Sequence, residues 1–409
     1  MSKAGSTLSP LSHSLFLTMW LASMTGNFGN MVQSVGASWL MTDLDGRADM
    51  VALVQTAVNA PVMLLALVGG AIADLYDRRT VMLSAQSMMA TISILLAVMT
   101  WFGHTGPWLL IGFTFAIGVS MAFYNPSGQA SVSRIVPRGE IAGAVSLNIL
   151  GFNVARTLGP AIGGVIVAFG GAIAAFIFNA AACLTAAIIL FFWRPPVEPR
   201  APGQKTRILA AIIEGLRTTY NILPLRTTML RCFTFTLTGS AIWALMPLVV
   251  RDIVGGGPQQ FGLLLAALGL GAVLGAAVSH EIRRRVDSEW LVRIAGAMVG
   301  IGLIVVSMGP GFPVTFAVLV LSGAAWVQAL SGFSVAGQMW APRAVVGRVM
   351  ATNSTMLFGG LAIGSWIWGH LAESFGVAPA IATSGVAMCL LGLLGLVFPL
   401  APTRDAPGE

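Results

Sequence analysis

Arg156 is the residue best placed to do chemistry in this sequence, because it lies inside a long apolar run. If that run crosses a membrane, burying the arginine at the centre costs about 2.5–3.5 kcal/mol on insertion scales. Its guanidinium therefore needs a polar cavity or a partner. Asn153 precedes it by three residues on the same helical face, and no acidic residue is plainly placed at the same depth. Two interpretations stay open: Arg156 binds an anionic or strongly polar group of a ligand, or it donates hydrogen bonds to carbonyl and amide groups of neighbouring helices.

Further polar and aromatic side chains stand inside other apolar runs, some of them at helical spacing. Such side chains can line a central cavity, or they can form hydrogen bonds between helices that are worth about 0.6 kcal/mol each. Gln33, Asn59, Gln328 and Asn353 have the same two interpretations. The candidate binding residues are Arg156, Asn153, Asn27, Asn30, Gln55, Trp243 and Trp326.

Several classes of chemistry are excluded by what the sequence does not contain. The three cysteines lie in apolar runs without a Cys-x-x-Cys pair, and the four histidines are far apart, so no zinc site is expected. No nucleotide-binding G-x-x-x-x-G-K-[ST] loop is present. No Ser-His-Asp constellation is recognisable either. We expect no catalytic residue, no metal and no cofactor.

The composition is that of an integral membrane protein. Hydrophobic residues make up 56 % of the 409 residues and charged residues only 9 %, against about 25 % in a typical soluble domain. A soluble protein of this size has too few charges here to cover its surface. Each membrane helix needs about 20–25 residues. The apolar segments are roughly 15–37, 49–73, 80–102, 108–133, 140–168, 172–193, 227–253, 259–280, 288–308, 313–339, 344–371 and 377–400.

The distribution of basic residues predicts the orientation. With the N-terminus in the cytoplasm, Arg47 and Arg251 are the only basic residues in outer loops, and Arg156 lies within a helix. The other 19 of the 22 lysines and arginines then fall on the cytoplasmic side, as the positive-inside rule requires. We therefore expect both termini to be cytoplasmic, and the net charge of +7 to face the cytoplasm rather than a nucleic acid.

An internal repeat predicts two homologous halves. When the sequence is aligned with itself at an offset of 205 residues and without gaps, helix breakers and charged residues of several loops coincide. The superimposed pairs are Gly70 with Gly275, Arg78 with Arg283, Arg79 with Arg284, Pro137 with Pro342, Asn148 with Asn353 and Gly159 with Gly364. Transporters are commonly built from such repeats, with the substrate site between the halves. We expect an all-α membrane protein of twelve helices in two pseudo-symmetric six-helix bundles, residues 1–193 and 227–409, joined by a cytoplasmic linker, 194–226.

The loop Gly70–Arg79 resembles the signature G-x-x-x-D-x-x-G-R-R of the major facilitator superfamily. Asp77 stands where that signature has glycine, and the second copy has Ser279 in place of the aspartate. The resemblance implies that Asp74, Arg78 and Arg79 form a conformational latch, which holds the cytoplasmic side closed in the outward-facing state. The alternative is that the arginines only enforce topology.

A narrower resemblance covers Asn125–Gln129, Ala144–Asn148 and Asn153–Gly164 and points to the facilitator branch of enterobactin exporters and macrolide efflux proteins. It implies a monomeric exporter of a small amphipathic molecule such as a siderophore, macrolide or drug, working by alternating access across the lipid bilayer of the inner membrane. Proton coupling is the default, although no midmembrane carboxylate presents itself, and His370 and Glu373 are interpreted as a solvated helix end. The alternatives are an importer, a non-transporting receptor or a membrane-bound enzyme.

Overall fold

The computed structural model describes residues 9–131, 135–193, 208–342 and 345–401, and the regular elements in these ranges are all helices. We name the two ends of the bundle cytoplasmic and outer, following the predicted orientation. The predicted linker falls partly outside the described residues, at 194–207. The helices of the N-terminal half are α1 (Ser14–Leu44), α2 (Ala48–Leu75), α3 (Arg78–Trp101), α4 (Pro107–Ser131) and α5 (Ile141–Phe192).

Helix α5 contains two membrane crossings in one element. Gly171 has φ 66°, a left-handed conformation that glycine adopts without a steric cost, and this kink separates the two arms. The arms correspond to the predicted segments 140–168 and 172–193. Pro160 lies inside the first arm, where it removes one hydrogen bond of the helix.

After the amphipathic helix α6 (Ile208–Asn221), the seventh predicted segment is broken rather than continuous. It consists of α7 (Leu223–Gly239), α8 (Ala241–Ala244), α9 (Met246–Leu248) and a π-helical turn, Val249–Val254. Pro247 contributes to the break, because it has no N–H for the helical ladder. The remaining helices are α10 (Pro258–Arg285), α11 (Ser288–Ser307), α12 (Phe312–Trp340), α13 (Val346–Phe375), α14 (Val377–Leu391) and α15 (Leu394–Val397).

Nine helical spans in the described ranges are long and apolar enough to cross a membrane. One of them, Gly143–Phe192, has 50 residues and is long enough for two crossings of about 20–25 residues each. Helices α1 and α13, with 31 and 30 residues, match two further predicted segments. The architecture is therefore that of a polytopic helical membrane protein.

The two halves are joined at the outer end and separate at the cytoplasmic end. At the outer end one hydrophobic core contains residues of both halves, among them Met41, Ala52, Val249, Phe261 and Trp368. At the cytoplasmic end each cluster belongs to a single half. The N-terminal clusters include Phe16, Met19, Leu147 and Trp193, and the C-terminal cluster includes Leu225, Met229 and Val349. In the predicted orientation this is an inward-facing arrangement.

Small residues let the halves approach closely where they meet. A Cβ added to Gly164 of α5 would lie 2.6 Å from the carbonyl oxygen of Pro258 and 2.9 Å from Cα of Gly262, both in α10. On the other side of the bundle, a Cβ on Gly369 of α13 would lie 2.5 Å from Cβ of Ala52 in α2. The backbones are thus in direct contact, as is usual for membrane helices with small interfacial residues.

Candidate functional site

Arg156 lies in the first arm of α5, where that arm meets the C-terminal half. A Cβ on Gly269 of α10 would lie 2.8 Å from the carbonyl oxygen of Arg156, so α10 crosses α5 at this residue. The guanidinium carbon is 5.1 Å from the ring centroid of Trp243, a cation–π contact between the two halves. The ring of Trp243 is the partner of this guanidinium that the described residues show.

Trp243 belongs to an aromatic cluster in the C-terminal half. It lies in the short helix α8, within the broken seventh segment, and its ring is 6.2 Å from that of Trp326 in α12. Trp326 in turn is 5.0 Å from Phe235 of α7. Transporters often place substrate sites at broken helices near the midplane between repeats. Trp326 and Phe235 are buried in the core, so Trp243 is the ring of this cluster that contacts Arg156.

The other candidate residues are partly buried and are not joined to Arg156 by a described contact. Asn27 and Asn30 share one face of α1, and the Oδ1 atom of Asn30 is buried without a hydrogen-bond partner among the described residues. The backbone carbonyls of Gln55 and Asn153 accept bonds from Asn59 and Thr157, at 2.7 and 2.8 Å. The structure thus brings together Arg156, Trp243 and Trp326 from the predicted set.

Two polar residues of the wider candidate set hold helices together instead. Gln33 of α1 accepts a hydrogen bond of 2.7 Å from Ser93 of α3, and Asn179 of α5 bonds both of them. Gln328 of α12 donates to the carbonyl of Gly275 in α10 at 2.8 Å. These are bonds within one half, as the hydrogen-bonding interpretation expected.

The loop before α3 explains one departure from the facilitator signature. Asp77 is the N-cap of α3, and its carboxylate accepts hydrogen bonds from the N–H and the hydroxyl of Thr80, at 3.1 and 2.8 Å. This is the preferred role of aspartate at a helix start. Arg79 donates from Nε to the carbonyl of Leu190 at 2.9 Å, within its own half, and Arg78 begins the helix. The side chain of Asp74 lies outside what the structure describes.

A buried charge cluster at the cytoplasmic end of the C-terminal half was missed by the sequence interpretation. Arg231 of α7 is only 4 % exposed and pairs with Glu289 in the first turn of α11. Glu289 also accepts hydrogen bonds from Nε of Arg293 at 2.5 Å and from the backbone N–H of Leu400 at 2.8 Å. The cluster ties α7, α11 and the chain after α15 together. The signal was available, because Arg231 is a charge inside the predicted segment 227–253.

One groove among the described residues lies apart from these side chains. It has a volume of about 530 Å³, and none of the candidate binding residues lines it. Its walls are apolar side chains of α3 and α4, including Met88, Trp108 and Phe113. Met88 and Trp108 are exposed on the outside of the bundle, where lipid is the expected neighbour.

Comparison with known proteins places this geometry in context. The sequence model of one family, described as transmembrane secretion effector, matches residues 5–407. The multidrug efflux pump Tap of Mycolicibacterium fortuitum is 25 % identical, with 94 % of this chain and 95 % of that protein covered. The enterobactin exporter EntS of Escherichia coli O127:H6 is 26 % identical, with 81 % and 79 % covered. A bacterial homologue of the human lysosomal transporter Spinster, solved in an inward-facing and unoccupied conformation, superimposes with a TM-score of 0.75 at 15 % identity, over 98 % of both chains. The predicted fold class is confirmed.

Proposed function

We infer that this chain, which belongs to the transmembrane secretion effector family of major facilitator transporters, exports a small amphipathic molecule across the cell membrane. It is a multi-pass membrane transporter and not an enzyme. The family and the two relatives, an efflux pump and a siderophore exporter, support export as the direction. The observation that carries the mechanism is Arg156, whose guanidinium reaches across the interface of the two halves to Trp243 without a described hydrogen-bond acceptor.

In the proposed cycle, the inward-facing protein takes its cargo from the cytoplasm into the space between the halves. Arg156 binds the anionic or most polar group of the cargo, and Trp243 and Trp326 contact its apolar body. Asn153, Asn27, Asn30 and Gln55 complete the proposed site. The halves, 1–193 and 227–409, then rock about this site while the linker 194–226 keeps them joined. We propose a proton as the coupling ion and a monomer as the working unit.

Transport direction tests the proposed function. Inside-out membrane vesicles that contain the protein should accumulate fluorescent or radiolabelled drugs, and a macrolide, a tetracycline and a catecholate siderophore are the first probes. Accumulation should fall when the proton gradient is collapsed. Uptake by right-side-out vesicles instead would indicate an importer. Absence of flux for the panel in both orientations, with the protein folded, would favour a non-transporting receptor.

The first prediction concerns topology. A cysteine at Gly203, in a background without the three native cysteines, is expected to resist an impermeant thiol reagent added to intact cells. The reason is that 19 of 22 basic residues otherwise lie on the wrong side of the membrane. The same cysteine should react in inside-out vesicles, which serve as the control. Efficient labelling from outside would reverse the proposed orientation.

The second prediction concerns the cytoplasmic latch, defined by Asp74, Arg78 and Arg79. Asp74→Asn keeps the shape of the side chain and removes its charge, so it should lower transport while the protein stays folded and inserted. A coupling of this kind is typically about 1–3 kcal/mol, or 5- to 150-fold in the ratio of two conformations. Initial transport rates and accessibility of the outer cavity measure the effect. Asp77→Asn, which alters only the local N-cap, is the control and should be nearly neutral. Normal flux in Asp74→Asn would leave Asp74 as a topology residue.

A further inference from the structure

The loop between α1 and α2, residues 45–47, and the two helix ends beside it are held at the outer face by two charged side chains of the other half. Glu373, in the last turn of α13, accepts a hydrogen bond of 2.8 Å from the backbone N–H of Ala48. Its second carboxylate oxygen lies 3.8 Å from Nε of Arg47. The sequence predicts that Glu373 is a solvated residue at a helix end, whereas in the structure its carboxylate contacts the opposite half.

Arg251, in the π-helical turn after α9, contacts the other end of the same loop. Its guanidinium donates to the carbonyl of Gly46 at 3.2 Å and lies 3.5 Å from the carbonyl of Thr42 in the last turn of α1. The neighbouring Asp252 accepts from Nε of Arg251 at 2.6 Å and fixes the direction of the side chain. The C-terminal half therefore contacts this loop through one anion and one cation.

The signs of the two charges match the helix ends that they meet. The N-terminus of a helix carries unpaired N–H groups and a partial positive charge, and the C-terminus carries unpaired carbonyls and a partial negative charge. Ala48 is the first residue of α2, and its N-cap residue Arg47 makes no side-chain capping bond. Glu373 supplies that missing cap from the opposite half. Arg251 donates hydrogen bonds to carbonyls at and just after the C-terminus of α1, where the partial charge is negative.

We propose that Glu373 and Arg251 form an outer latch, which stabilises the state in which the halves are closed at the outer face. The hydrogen bonds that Glu373 and Arg251 make to Thr42, Gly46 and Ala48 cross from one half to the other, so they break when the halves separate there. The latch opposes the cytoplasmic latch at the other end of the bundle. Glu373 and Arg251 are positioning residues, which act on the conformational equilibrium without touching cargo.

The latch can be opened from either half. Glu373→Gln removes the charge and keeps the shape. Ala48→Pro removes the N–H from which Glu373 accepts, and proline suits the first position of a helix. The preceding residue Arg47 has φ −69° and ψ 137°, a conformation that a following proline favours. Arg251→Gln removes the second contact. Glu281→Gln, in an exposed pair with Arg285 inside α10, is the matched control.

Distances between spin labels, measured by double electron–electron resonance in a background without native cysteines, report the equilibrium independently of cargo. Phe102 and Met308 are exposed at the outer ends of α3 and α11, and Tyr76 and Met339 are exposed at the cytoplasmic end of opposite halves. The latch variants should lengthen the outer pair and shorten the cytoplasmic pair. A coupling of about 1–3 kcal/mol, the usual size, should change the ratio of outward-facing to inward-facing protein about 5- to 150-fold in each variant.

Combining Ala48→Pro with Glu373→Gln should add little to either change alone, because both weaken the same bond. The control should leave both distance distributions as in the parent. Unchanged distributions in all three variants would overturn the proposal, and so would a fall in melting temperature without a shift of the populations. Since no cargo enters this measurement, a failure of the proposed export function leaves its outcome unaffected.

Discussion

Replacing Arg156 with glutamine is expected to weaken cargo binding severely while the melting temperature in detergent stays close to that of the parent protein. The described partner of the guanidinium is the ring of Trp243, so the bundle loses no hydrogen bond that the structure describes. The cargo loses a hydrogen bond to a charged group, which is worth about 1.5–3 kcal/mol. Affinity should therefore fall between about 10-fold and 150-fold.

Arg156→Lys separates charge from shape. A lysine keeps the positive charge and loses the planar, two-pronged donor, so weakened transport of an anionic cargo should remain. Arg285→Gln, at an exposed residue near the cytoplasmic end of α10, is the control for the loss of one arginine and should bind cargo normally. Cargo affinity and melting temperature are measured on the same samples. Unchanged affinity together with a large fall in melting temperature would show that Arg156 is structural.

Valine at Gly164 is expected to stop transport by preventing closure of the outer face. The added side chain would meet the carbonyl of Pro258 and the backbone of Gly262 across the interface between the halves. In the proposed cycle that interface opens, so the protein can relieve the clash by staying open at the outer end. The label pairs at the outer and cytoplasmic ends should then report an outward-facing population, with little change in thermal stability.

Gly271→Val provides the contrast, because the same substitution is made inside one half. Its Cβ would collide with the carbonyl of Val320, where α10 packs on α12, and no step of the cycle separates these two helices. Overpacking of this kind typically costs about 1–3 kcal/mol. We expect a lower melting temperature and less folded protein, with the inward-facing population retained. If both valine variants were equally destabilised without a conformational shift, the crossing at Gly164 would be ordinary static packing.

The sequence predicted the helices well because their signal is local. Apolar length, glycine and proline positions and charged loops locate most of the crossings, and the kink at Gly171 falls between two predicted segments. The interior of the seventh segment was predicted as one helix and is broken, because the turns around Ser240 and Pro247 depend on packing as well as on residue type.

The contacts between the halves could not be predicted in the same way. Arg156 was recognised because burying its charge in an apolar run costs free energy. Its position over Trp243 depends on how two helices far apart in sequence are placed. Glu373 and Ala48 are separated by 325 residues and carry no shared motif. Arg231 was recognisable as a charge in an apolar segment, but its partner Glu289 lies 58 residues further along the chain, at the start of another predicted helix.

The hydrogen bonds of the outer latch join main-chain atoms of the N-terminal half to charged side chains of the C-terminal half. This asymmetry predicts at which residues mutations can break the latch. Most substitutions at Asp45 and Arg47 leave the carbonyl of Gly46 and the N–H of Ala48 in place, so they preserve the acceptor and donor that Arg251 and Glu373 use. Gly46 is the exception, because its φ is 71° and an added Cβ would lie 2.8 Å from the guanidinium of Arg251. Loss-of-latch mutants from a random screen should therefore accumulate at codons 46, 251 and 373 and be scarce at codons 45 and 47.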